Sequence, residues 1–346
     1  MDLMITKPEF EFKGISLMMT ETELIAQFEN DKPILEAWGN IINREILKSL
    51  TSFLGDPKKV NVFLKIPPAP RIKENDSLIE KAFFRPTKHY DDPYNQITDK
   101  VGLRYVVLLN DEIKIIEDII THSDIWDFSK DMDFEEEKKK HPLEFSYQSM
   151  HYIIRTKEEI NTPSAIIPTG IPCEVQIRTL LQHAHSELTH DTTYKPKMRQ
   201  LPDVQRLISK SMALIEATGD IFTIVDNQFK EKKTKMNNLL TELIRLYAPI
   251  QNADYQIQAN ENILDAIPEK YITETTIRDL TEYFSKNAWI LERVKEKSSY
   301  SFLYRQPIIL LLFFLIRQNK YAFKTDSPLP LDKIEPIYTD LGIAVE

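Results

Sequence analysis

Between residues 34 and 50 the apolar side chains Ile34, Leu35, Trp38, Ile41, Ile42, Leu47 and Leu50 recur at steps of three and four, which places them on one face of a helix. Asp31, Lys32 and Pro33 predict its start, with Asp as N-cap and Pro in the first turn, and Gly55, Asp56 and Pro57 mark its end. Residues 60–66 read as a strand broken by the prolines that follow at 67, 68 and 70. Ser77 and Glu80 have the spacing of a capping box and predict a short helix from Ser77. Residues 102–109 form a β-rich run, and Ile113, Ile116, Ile119 and Ile120 then share one helical face. Residues 123–146 show no period, and the acidic and basic run 131–140 reads as a mobile, solvated loop. Strands at 149–155 and 172–178 and a helix over about 179–193 complete the series. Strands interleaved with helices in this order predict an α/β (α+β) fold, a mixed β-sheet with helices packed against it.

Beyond Pro202 the pattern turns helical almost to the end. Val204, Ile208, Met212, Ile215, Phe222, Val225 and Phe229 form one stripe of a long helix, read as core packing. The basic run 230–235 is taken as a hinge, and the apolar run 307–316, about half the length a bilayer requires, as a buried helix.

Composition narrows the chemistry. There are seven glycines among 346 residues, no two of them close together, where average usage would give about 24. A dinucleotide fingerprint or a Walker loop requires clustered glycines, so any phosphate must be held by side chains. A net charge of -9 argues against nonspecific coating of nucleic acid, while leaving room for a local basic cleft. With a lone Cys173 and no signal-like amino terminus, a cytoplasmic protein without a membrane span is expected.

Four stretches concentrate polar residues at strand ends. Arg71, Lys73, Ser77 and Lys81 set three cations and a hydroxyl around a helix start, a seat suited to polyphosphate; a capped surface helix is the plainer reading. Asp99 stands just ahead of a strand that carries Arg104, and a charge inside a strand needs a partner or a ligand. Tyr147, Gln148, Ser149 and His151 group an aromatic and a His around amide and hydroxyl groups. Glu174, Gln176 and Arg178 alternate, so they share one face of a strand. If Asp99 and Glu174 meet, they supply the carboxylates that Mg²⁺ takes alongside substrate phosphates, a phosphoryl-transfer site without a P-loop. A rival reading takes His183, Glu187 and His190, on one helix face, as zinc ligands.

Taken in order, these stretches resemble the synthetase domain of the RelA/SpoT family, enzymes that move pyrophosphate from ATP to the 3′-hydroxyl of GDP or GTP. Arg71, Lys73, Ser77 and Lys81 resemble its ATP-phosphate segment. Asp99, Gly102 and Arg104 resemble its Asp-x-x-Gly-Ile-Arg, and Tyr147 to His151 its Tyr-Gln-Ser-Leu-His. Glu174 to Thr179 resemble its Glu-Ile-Gln-Ile-Arg-Thr, and Gln182, His183, Glu187, His190, Tyr194 and Lys195 fit the segment that follows. The resemblance implies Mg²⁺ at Asp99 and Glu174, with Glu174 also helping to deprotonate the attacking hydroxyl. It implies adenine stacked by Arg71 and Arg104, and ATP phosphates held by Lys73, Ser77 and Lys81. Tyr147 would stack on the acceptor base, with Gln148, Ser149 and Gln176 around the acceptor and His151 and Arg178 near the transferred group.

Two departures fall on the acceptor side. Ser146 replaces the family's Gly, and residues 138–145 replace its usual preceding segment. The acceptor therefore stays open between a guanine nucleotide, an adenine nucleotide and the 3′ CCA end of tRNA, whose backbone the lysines at 138–140 and 230–235 would touch; the alternative from another class is a catalytically inactive nucleotide-binding module. The domains expected are an extension at 1–24, a synthetase domain at 25–235 and a helical accessory domain at 236–346. That last domain would serve as a sensor, a neutralising or oligomerisation element, or the target of a protein trigger or antitoxin.

Overall fold

The computed structural model describes residues 19–85, 88–145, 149–193, 201–250 and 254–344, with the side chains of residues 190–193 excepted. They divide into two compact units between Ile224 and Val225. That division and the expected boundary at 235/236 fall inside one helix.

In the first unit, helix α1 (Glu21–Leu54) begins eleven residues earlier than the predicted N-cap Asp31 implies. Thr20 is its N-cap, in a reciprocal capping box with Glu23, and Pro33 lies inside the helix. A mid-helix proline costs about 3 kcal/mol. The capping box, together with burial of Leu24 and Phe28 ahead of it, offsets that cost. Gly55 ends α1 at φ 72°, a left-handed conformation that glycine adopts without strain. Helix α2 (Pro57–Phe63) occupies most of the expected strand at 60–66. Asp56 caps the Lys58 N–H and Pro57 supplies the first-turn φ, so local capping outweighs the β-preference of Val60 and Val62. Of the expected strand only Ile66 remains paired, as a single bridge to Val106.

Next come β1 (Arg71–Ile72), α3 (Asn75–Ile79) and a π-helical turn, Glu80–Phe84. Ser77 is therefore inside α3 and exposed, rather than at its cap. After α4 (Pro93–Gln96) come β2 (Val101–Val107) and α5 (Asn110–Thr121), which buries Ile113, Ile116 and Ile120. The expected loop at 131–140 is instead the end of β3 (Trp126–Met132) and helix α6 (Phe134–Lys140). Asp133 caps α6, and glutamates in its first turn with lysines in its last suit the helix dipole. Then follow β4 (Met150–Thr156), a hairpin of β5 (Ile160–Asn161) and β6 (Ile166–Ile167), β7 (Pro172–Thr179) and α7 (Leu180–Thr193).

The main sheet is mixed, in the order β1-β2-β7-β4-β3. The central β2 and β7 are parallel, and every other pairing is antiparallel. Gly39 in α1 lies so close to Pro70 that a Cβ there would stand 2.8 Å from the proline Cβ. Only glycine admits the segment leading into β1 at this distance from the helix.

Helix α8 (Pro202–Tyr247) is 46 residues long and runs unbroken through 230–235, so the expected hinge is continuous helix. There Lys230 pairs with Asp226 and Lys235 with Glu231, one turn away in each case. Its predicted core stripe holds only in part. Met212 is buried and Val204, Ile208 and Ile215 are half-buried, but Phe222, Val225 and Phe229 are exposed.

The second unit adds α9 (Ile257–Ala266), α10 (Thr276–Lys286), α11 (Trp289–Ser298), α12 (Ile308–Gln318), α13 (Ala322–Asp326) and α14 (Leu331–Asp340). Every residue of α12 from Ile308 to Ile316 is buried, as the apolar run predicts, and it forms the centre of this unit's core. Among the described residues no helix is long and apolar enough to cross a membrane.

Candidate active site

The strand pleat sorts side chains of the central strands into two sets. Val101, Leu103, Tyr105 and Val107 of β2, with Cys173, Val175 and Ile177 of β7, are buried in the apolar core of this unit. The opposite set is Gly102 and Arg104 on β2, and Glu174, Gln176 and Arg178 on β7. Register then brings neighbours together: Gly102 faces Glu174, Arg104 faces Gln176, and His151 of β4 faces Gln176 from the other side. Arg71 on β1 faces Gly102 and is exposed.

Asp99 lies just ahead of β2 and receives two cations. Lys73, after β1, and Lys81, in the π-helical turn, reach its Oδ2 at 2.9 and 2.7 Å. Its Oδ1 is buried and accepts no hydrogen bond. Burial alone would raise the Asp99 carboxyl, but the two ammonium groups hold it below the usual carboxylate range. Two cations on one carboxylate leave a net positive seat, which suits a polyphosphate.

Glu174 is held differently. Its Oε1 lies 3.4 Å from His151 Nδ1, and its Oε2 accepts from Gln176 Nε2 at 2.8 Å. Burial raises its pKa, His151 lowers it, Asp99 raises it and Gln176 lowers it, with the balance below the usual range. Glu174 faces Gly102 across the β2–β7 pairing, and Asp99 stands three residues ahead of Gly102. Gln176 also accepts at Oε1 from Arg104 Nε, at 3.4 Å, and from Arg178. One amide therefore joins both guanidinium groups to the Glu174 carboxylate.

Among the described residues, no three His, Cys, Asp or Glu side chains gather to hold a metal. The Asp99 and Glu174 pair, with an unpartnered buried oxygen, fits Mg²⁺, which takes one or two protein carboxylates and completes its shell with phosphates and water.

The rival zinc face is described only in part. Glu187 accepts from Arg104 at 2.9 Å and lies 3.6 Å from His183 Nδ1. Burial, with Arg104 and Arg178 nearby, pushes His183 below its ordinary pKa against the pull of Glu187. The side chain of His190 lies outside the described residues, as do Tyr147 and Gln148, expected at the acceptor, together with Ser146, Tyr194 and Lys195. Ser149, expected at the acceptor, is fully buried and its hydroxyl donates to the Ile177 carbonyl at 3.4 Å.

Glu187, read both as a rival zinc ligand and as part of the segment after β7 that fits the family, orients Arg104. One residue escaped the sequence reading. Lys100 is 3% exposed, with Nζ donating to the carbonyls of Tyr94 and Ile97 at 2.5 and 2.9 Å. Burial pushes its pKa down to about 8 against the opposing pull of Asp99, Asp31 and Asp92. A lysine next to an aspartate gives no sequence signal of such burial.

Residues 70–199 match the family model described as the region found in RelA / SpoT proteins. Three solved structures are similar to this chain. Small alarmone synthetase 1 from Bacillus subtilis is 16% identical, with a TM-score of 0.48 over 60% of this chain and 99% of that one. The same synthetase bound to its product pppGpp is 18% identical, with a TM-score of 0.46 over 59% and 99%. A GTP pyrophosphokinase family protein from Streptococcus pneumoniae is 18% identical, with a TM-score of 0.47 over 60% and 96%. No curated protein matches the chain.

Proposed function

From a chain that carries the RelA/SpoT region over residues 70–199, we propose a Mg²⁺-dependent pyrophosphokinase. It transfers the β,γ-pyrophosphoryl group of ATP to the 3′-hydroxyl of GDP or GTP and makes an alarmone of the (p)ppGpp type. The observation that carries this reading is the pairing of a lysine-clasped Asp99 with a Glu174 braced by His151 and Gln176, at the edge of one sheet face.

Lys73 and Lys81, with the Ser77 hydroxyl, bind the ATP phosphates, and Arg71 and Arg104 hold the adenine between them. Glu174, whose carboxyl burial would raise but His151 and Gln176 hold below the usual range, is the base that takes the proton of the attacking 3′-hydroxyl. The acceptor oxygen bonds to the β-phosphorus as the bridge to the α-phosphate breaks, and AMP leaves with the bridging oxygen. Arg178, 1% exposed, keeps a fixed positive charge beside the transferred group without reorganisation. When bound at Asp99 and Glu174, Mg²⁺ supplies neutralisation of the charge on the phosphates. Tyr147 stacks on the acceptor base and Gln148 bonds to the acceptor.

The tRNA alternative gains no support from the lysine runs. Lys138 pairs with Glu135 and Glu216, Lys140 with Glu136 and Glu137, and Lys230 and Lys235 with carboxylates on α8. The test is to supply ATP labelled at the β-phosphate with GDP, GTP, ATP or deacylated tRNA in separate reactions. Label on a guanine nucleotide is expected. Label on tRNA alone would replace the acceptor, and label on nothing would remove the assignment.

A further inference from the structure

Asp99 carries two ammonium groups on a single oxygen, at 2.7 and 2.9 Å, while its other oxygen is buried and accepts nothing. That is more positive charge than one carboxylate requires, and less coordination than it can provide. We propose that Lys73 and Lys81 form a latch that keeps a divalent cation off Asp99 until a triphosphate draws the two ammonium groups onto itself. Metal entry is thereby coupled to nucleotide entry. The inference rests on the ATP-binding reading above.

The charge count supports the coupling. Lys73, Lys81, Asp99 and Glu174 sum to zero, so a divalent cation arriving alone would leave this cluster strongly positive. The Lys73, Lys81 and Asp99 side chains are each less than a fifth exposed, so water screens the repulsion weakly. A triphosphate reverses the balance, because its oxygens compete with Oδ2 for both ammonium groups and bring negative charge for the metal to share. The two lysines are rooted separately. Lys73 is fixed by its main-chain N–H to the Lys100 carbonyl at 3.0 Å, and Lys81 lies in a π-helical turn, a geometry common at functional sites. Each has a flexible four-carbon stem that can swing from carboxylate to phosphate while the backbone stays in place.

The test titrates the full chain with Mn²⁺, as a probe for Mg²⁺, and reads bound metal by electron paramagnetic resonance without nucleotide. In parallel, calorimetry measures α,β-methylene ATP binding with and without Mn²⁺. Wild type is expected to bind Mn²⁺ weakly alone and the analogue at least about 10-fold more tightly with Mn²⁺ than without it. Lys81→Met and Lys73→Met should each raise nucleotide-free Mn²⁺ affinity by about 10-fold or more, since each removes a charge within contact distance of the site. Lys81→Arg keeps the charge and should not, and Asp99→Asn in the Lys81→Met background should abolish the gain. Circular dichroism melts check that each variant folds, and the two methionine variants test the latch independently. Wild-type Mn²⁺ binding as tight without nucleotide as with it, or no gain in either folded methionine variant, overturns the latch. If the analogue still binds, the proposed function stands; if it does not bind at all, both fall together.

Discussion

In residues 225–346 the fully buried Asn260 and Gln306 close on each other and on main chain. Asn260 Nδ2 donates to the Gln256 carbonyl at 2.8 Å and to Gln306 Oε1 at 3.0 Å, and its Oδ1 accepts the Ile308 N–H at 2.8 Å. Gln306 Oε1 also accepts the Gln256 N–H at 2.8 Å. These groups are neutral and mutually satisfied. Around Asp99 the groups are charged and unevenly matched, with two donors on Oδ2 and none on Oδ1. Both regions bury polarity, yet only one leaves an oxygen without a partner. Because buried polar groups are almost always bonded, the closed network reads as a device that fixes one packing and the unbalanced one as a place prepared for a ligand.

The sharpest way to test that contrast is Glu174→Gln. It removes a charge with almost no change in volume, so the fold should persist while pyrophosphoryl transfer drops by about 10³-fold, close to 4 kcal/mol of transition-state stabilisation. Steady-state kinetics beside a denaturant melt would check it, and retained activity would count against Glu174 as base and metal ligand. The counterpart in the second unit is Asn260→Leu, which leaves the Ile308 N–H without its partner, while the Gln256 carbonyl keeps the Ala259 and Asn260 main-chain N–H groups. It should cost about 1–3 kcal/mol in chemical denaturation. A neutral result there would mean that the closed network is dispensable.

How much of this was legible in the sequence follows the same division. The mixed sheet, α5 and the buried α12 were readable because periodicity and burial agree in them. Residues 60–66 were misread because a capping aspartate and a first-turn proline outside the apparent strand decided for helix. Residues 131–140 looked like loop because α6 buries little beyond Phe134, so its stabilisation lies in caps and charge pairs rather than in apolar period. In the site, alternation placed Glu174, Gln176 and Arg178 on one face, which strand geometry guarantees. That Lys73 and Lys81 converge on one oxygen depends on tertiary approach, which no local spacing encodes. The exposure of Phe222, Val225 and Phe229 was hidden for a similar reason, since a stripe specifies a face but not what covers it.

Lys100 gives a pH test of whether the site region bears an energetic cost that the closed network avoids. Its folded pKa of about 8 lies below the ordinary value of 10.5, so between those limits the unfolded chain binds more protons than the folded one. Stability should therefore rise with pH through this window, by about 2 kcal/mol from pH ~7.5 to ~9.5. Denaturant melts across the range would check it, and Lys100→Met should flatten the rise. A slope that survives the substitution would assign it to another group.

The smallest expected effect lies on α8, where the predicted core stripe and the exposed surface part company. Leu214 is 70% exposed, whereas Met212, two positions earlier, is fully buried. Leu214→Gln changes little in helix propensity and removes little buried area, so stability should shift by less than about 0.5 kcal/mol. Met212→Ala, as the internal contrast, should lower the melting midpoint visibly, because it empties a packed position. If Leu214→Gln proved as costly as Met212→Ala, the outer face of α8 would be covered in solution.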